Sequence, residues 1–186
     1  MKYSLILIAG LALAGCNLET PPPTETTQQT STVGLQFASM PVGLEAHSVN
    51  GDGEAFFMRY VGKQGRYYVV KNYWKGNLSN TEEYHADGTL YRRTYPNGNV
   101  RTFSPRRCMR VLGECSFTAS NTHPKRNTHP STATLTKSGS TYTYRYEATD
   151  GSWVRRFKYR LGEYNLIAWG QSSGGFSERL VKVVTP

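Results

Sequence analysis

The chain has 186 residues, with 22 Lys or Arg against 13 Asp or Glu and a formal charge of +9. That length fits one domain with a sizeable core. A mean hydropathy of −0.54 excludes a bundle of membrane helices. The 13 Tyr and the scarcity of good helix formers argue against a helical fold of any kind.

Residues 1–15 open with Lys2, continue through an apolar run from Leu5 to Leu13 and end on small residues. These are the three parts of a secretory signal, and the run is too short for a permanent transmembrane helix. The tetrapeptide Leu13-Ala14-Gly15-Cys16 resembles the lipobox of bacterial lipoproteins. The resemblance implies cleavage after Gly15 and acylation of Cys16, a multi-chain anchor that would hold the protein stably on a membrane. An ordinary signal peptide with a chance Cys is the alternative. Asn17 follows the Cys; Asp there would signal inner-membrane retention in enteric bacteria. The expected address is therefore the bacterial envelope, as an outer-membrane lipoprotein facing the periplasm. Loss of Lys2 leaves 21 basic and 13 acidic side chains in the mature chain.

Residues 16–35 hold the acylated Cys and a stretch rich in Pro, Thr and Gln, including Pro21-Pro22-Pro23. Such a composition has little to bury and reads as a flexible tether. From Leu18 to Val33 it reaches at most about 55 Å when fully extended.

Residues 36–186 read as a β-rich domain. Tyr142, Tyr144 and Tyr146 alternate with polar residues, and Trp153, Phe157, Tyr159 and Leu161 share a face. Alternation of this kind describes half-buried strands. Turn signals recur at Gly51-Asp52-Gly53, Asp87-Gly88, Asn97-Gly98, Ser138-Gly139 and Asp150-Gly151. Strands are expected near 55–61, 66–74, 78–85, 89–95, 99–104, 106–111, 114–118, 132–137, 141–148 and 152–161, then 164–169 and 176–184, some of them merging. The predicted fold is all-β: one antiparallel meander of about ten strands closing as a barrel or a sandwich. The stretches starting at Asp87 and Asp150 match in residue type over seven positions. Duplication and convergent hairpin chemistry both explain the match.

Cys108 and Cys115 are the only thiols left once Cys16 is acylated. An even pair in an exported protein is expected to form a disulfide.

Three motifs suggest chemistry and fail its requirements. Gly170-Gln171-Ser172-Ser173-Gly174 fits the G-x-S-x-G nucleophile pattern, but no His follows it and no strand–helix alternation precedes it. His123 and His129 recur within Asn-Thr-His-Pro repeats, yet cations rather than carboxylates flank them. Asn50 to Glu54 spaces oxygens as calcium loops do, but Ala55 and Val61 stand where such a loop needs Gly and a carboxylate. Glu114, Glu147 and Glu163 form no visible catalytic pair. No cofactor, metal or catalytic residue is expected, and the chain is read as a non-enzyme.

Charge is the strongest functional signal. Arg59 to Arg160 holds 19 Lys or Arg against six acids, and Arg92 to Arg110 contains no acid at all. Such density draws anionic partners. The expected partner-binding region comprises Arg92, Arg93, Arg101, Arg106, Arg107, Arg110, Val111 and Leu112, with the last two either presented at a stapled loop tip or folded back under the sheet. The leading expectation is a non-catalytic, lipid-anchored binding or assembly module. Its partners would be the membrane through Cys16, and an envelope protein or anionic envelope component through the basic region. Nucleic acid fits the charge but not the compartment. The alternative is an inhibitor or immunity protein that blocks an enzyme with its disulfide-stapled loop.

Overall fold

The computed structural model describes residues 31–122 and 127–186. The signal sequence, Cys16, the tether as far as residue 30, and His123 lie outside the described residues.

The domain is a single antiparallel meander of twelve strands closed into a barrel. In chain order they are β1 (Glu45–Asn50), β2 (Ala55–Gln64), β3 (Tyr67–Trp74), β4 (Asn77–Tyr84), β5 (Leu90–Thr94), β6 (Val100–Ser104), β7 (Gly113–Asn121), β8 (Asn127–Ser138), β9 (Thr141–Ala148), β10 (Val154–Leu161), β11 (Ile167–Ser172) and β12 (Ser177–Val184). β1 pairs with β12, His47 opposite Lys182, so no edge is left unpaired. Each of the five expected turns carries a glycine with φ between 56° and 82°. The matched Asp87-Gly88 and Asp150-Gly151 turns lie at opposite ends of the barrel, because five strands separate them in an up-and-down meander.

Two expectations need correction. The stretch 106–111 is not a strand: Cys108–Arg110 forms a 3-10 turn closed by the Val111 N–H bonding to the Cys108 carbonyl. Cys108 is bonded to Cys115, Cα to Cα 5.8 Å, so the chain doubles back before β7. β1 was not anticipated, since its inward residues Ala46 and Ser48 are too small to produce an apolar alternation.

One end of the barrel is closed by residues 31–44, so packed chain begins before residue 36. Val33 N–H bonds to the Arg110 carbonyl, Leu35 N–H to Gly88 and Gln36 N–H to Tyr164. Phe37 is buried among Tyr60, Tyr68 and Tyr84, with ring centroids 5.2, 4.8 and 5.3 Å away. Aromatic packing of this kind adds to the burial energy of the plug. A second core cluster, with Leu90, Phe103, Phe117, Leu135, Tyr142 and Tyr159, fills the neighbouring interior.

Among the described residues no helix is long and apolar enough to cross a membrane. A membrane-spanning barrel needs an apolar outer band about 25 Å tall. The strands of this barrel expose Lys158, Arg160, Arg179 and Lys182.

Candidate functional site

The interior beyond the two packed clusters is a cavity of about 650 Å³. Residues from the plug and the 3-10 turn, Leu35, Met109 and Arg110, line its closed end. At the other end it is lined by Arg155, Arg156 and Phe176 beside the β9–β10 and β11–β12 turns. Those three are exposed, Phe176 at 44%, so the cavity reaches the surface there. Its size is that of a small-molecule site.

Strand alternation and one bulge decide which arginines face inward. Tyr91 is unpaired in the β4–β5 ladder, which places Glu83 opposite Arg92 and Glu82 opposite Arg93. Arg92 bonds Glu83 at 2.5 Å, whereas Arg93 turns into the cavity with Glu82. Arg106 forms an ion pair with Asp87. Arg107 and Arg110 line the cavity with Arg93. Arg101 lies against the buried ring of Phe103, its Cζ 5.5 Å from the centroid, and Arg107 lies 5.7 Å from the same ring. The basic region anticipated from sequence is therefore split. Arg92 and Arg106 are held by local carboxylates, while Arg93, Arg107 and Arg110 line the interior. Val111 is 3% exposed and Leu112 packs on the core, so the stapled loop folds back under the sheet.

The electrostatics of the interior are unbalanced. Glu82 is 5% exposed and accepts hydrogen bonds from Arg93 Nε at 2.8 Å and from Tyr84 Oη at 2.6 Å. Burial alone would raise its pKa, but the Arg93 charge and these bonds outweigh burial and hold it below the ordinary value. The same burial, with the Glu82 charge beside it, drives the Tyr84 hydroxyl well upward. Arg110 donates to the carbonyls of Val33 at 3.0 Å and Asn165 at 2.7 Å, tying plug, 3-10 turn and the β10–β11 connection together. Its burial lowers its pKa. Arg101 is lowered too, by burial and then by the nearby charge of Arg107. Among the described residues, Arg101, Arg107 and Arg110 have no carboxylate within ion-pair distance. Glu178 also lines the cavity, and burial raises it to about 7 against the pull of Arg110.

The remaining motifs resolve as structure. Ser172 ends β11, and the Ser173 hydroxyl caps the Arg156 N–H at 3.2 Å across a turn. Asn50 Oδ1 accepts the N–H groups of Asp52 and Glu54, closing the β1–β2 hairpin. His129 lies on β8, and His85 contacts the Pro105 carbonyl at 3.2 Å. No group of three or more His, Cys, Asp or Glu among the described residues could hold a metal. Sequence reasoning missed Glu82, Tyr144 and Glu178. The alternation of Tyr142, Tyr144 and Tyr146 marked an inward face, but nothing in the sequence said that β4 and β12 share that interior.

Against this geometry, no family model, curated protein or solved structure matches the chain.

Proposed function

We propose that this protein is a lipid-anchored, non-catalytic binding module of the bacterial envelope, whose binding region is the cationic interior of its barrel and whose partner is an anionic envelope component. The observation that carries the reading is the set of guanidinium groups at or beside the lumen, Arg101, Arg107 and Arg110, that have no carboxylate within ion-pair distance among the described residues. Partly buried charge without a close counter-charge is costly, and a bound anion relieves that cost. The lipobox-like Leu13-Ala14-Gly15-Cys16 supports the envelope address, and acylation of Cys16 would keep the domain within reach of membrane-derived ligands.

Two other readings fit the interior less well. Inhibition by the stapled loop needs an exposed tip, and Val111 is buried. Hydrolysis by paired carboxylates needs a free base. Of Glu82 and Glu178, the two carboxylates that line the cavity, Glu82 has one oxygen bonded to Arg93 and the other to Tyr84, so no free pair is left.

A photo-crosslinking residue at Phe176, used in intact cells, tests the binding reading. The expected adduct is an anionic envelope component, formed by the wild type and lost with Arg107→Gln. An adduct pattern indifferent to Arg107, or no adduct at all, would overturn it. The intact mass of the extracted chain tests the address, with an acylated Cys16 as first residue expected and a bare thiol contradicting it.

A further inference from the structure

Phe103 carries the guanidinium groups of both Arg101 and Arg107 within 6 Å of its ring centroid. Arg101 Nε is buried and makes no hydrogen bond. Tyr144 is 1% exposed, and its Oη lies close beside the Arg107 guanidinium but makes no well-formed hydrogen bond to any described residue. Buried hydroxyls nearly always find a partner. Here a phenol O–H and two like charges converge, and all three groups can donate. The chemistry they share as a ligand is an oxyanion, a carboxylate or a phosphate, which accepts from guanidinium and hydroxyl alike.

The rest of the cavity wall is of opposite character. Phe56, Met58, Trp74, Phe157 and Leu180 line it, and Phe176 stands at its exposed end. Phe157 is paired directly with Tyr144 in the β9–β10 ladder, so the apolar wall starts beside the donor cluster. A compact polar anion would leave these rings in contact with water alone.

We propose that the lumen binds a single-chain anionic amphiphile. Its carboxylate or phosphate head lies against Arg107 and Tyr144, with Arg101 adding its field, and its apolar tail runs along Phe56, Trp74 and Phe157. The proposal rests on the reading of the barrel as an anion-binding module and names the ligand class of that site. A free fatty acid and a phosphate monoester from a lipid share this chemistry.

The test uses the native acylated chain in zwitterionic nanodiscs, titrated calorimetrically against empty discs. Octanoate and octyl phosphate report the two sources of the head group. Acetate and inorganic phosphate lack the tail, and octyltrimethylammonium reverses the charge. Each buried methylene is worth roughly a factor of four in affinity, so octanoate should bind one per chain at least about tenfold more tightly than acetate. Octyltrimethylammonium should show no saturable binding. Arg107→Gln and Tyr144→Phe should each weaken octanoate about tenfold, the usual size for a lost bond to a charged group. Tyr144→Phe removes one hydroxyl that makes no well-formed hydrogen bond and keeps the buried ring, so folding is retained.

Equal binding of octanoate and octyltrimethylammonium would overturn the proposal, leaving an apolar hole without charge selection. An unchanged Tyr144→Phe affinity would overturn the placement of the head. If inorganic phosphate binds as tightly as octyl phosphate, the amphiphile fails while the anion-binding module stands. If no anion binds, both fail.

Discussion

The carboxylate of Glu82 and the guanidinium of Arg93 face each other across the β4–β5 ladder inside the barrel, with Arg93 Nε 2.8 Å from Glu82 Oε1. Among the described residues, it is the one close ion pair that an arginine makes inside the lumen. Removing one partner strands a buried charge, which costs about 3–5 kcal/mol, whereas replacing both by neutral side chains is far milder. Arg93→Met should therefore destabilise strongly in urea unfolding, and Glu82→Leu with Arg93→Met should recover most of the loss. Additive losses in that cycle would show that the two side chains do not interact.

Glu178 makes stability depend on pH in the direction opposite to most carboxylates. Its folded pKa of about 7 lies above the ordinary 4.5, so the folded chain holds a proton that the unfolded chain has lost. Stability from this group is full below about pH 4.5 and falls as pH rises to about 7, by up to about 3 kcal/mol. Glu178→Gln should flatten that part of the profile, stabilising the protein at pH 8 and changing little at pH 4. Thermal melts across pH 4–8 read both effects.

Closure of the barrel end depends on backbone contact that a side chain would block. A Cβ on Gly34 would lie 1.8 Å from the Asp87 carbonyl oxygen, and one on Gly88 would lie 2.1 Å from the Leu35 nitrogen. Gly34→Ala should loosen residues 31–44 while the sheet survives. Faster hydrogen exchange confined to those residues and to the 3-10 turn is the expected signature.

The Cys108–Cys115 bond closes a short loop beside Arg107 and Arg110. Loop-closure entropy assigns such a cross-link about 2.5 kcal/mol. Replacing both cysteines with Ser should lower stability by roughly that amount, measured by urea unfolding. Because the loop packs inward, the same change should also weaken anion binding; an unaltered affinity would separate the staple from the site.

Much of the fold was legible from the chain. Period-two alternation and Gly-terminated turns such as Asp87-Gly88 and Asp150-Gly151 encode an antiparallel meander locally. Closure into a barrel depends on β1, whose inward Ala46 and Ser48 leave no apolar signature. The cationic run from Arg92 to Arg110 was also visible, but not its division. Arg92 and Arg93 are adjacent and must point to opposite faces, and only the bulge at Tyr91 decides which one enters the lumen. The contribution of Glu178 is a long-range fact, since β12 reaches that interior only through the closed sheet.

The central claim is that the interior of this barrel holds an anion against Arg107. Native mass spectrometry of the protein gently extracted from cells reads it most directly. The account predicts a bound anionic companion on the wild-type chain, lost on denaturation and missing from Arg107→Gln. Wild type and variant each found only at the mass of its own covalent chain would contradict it.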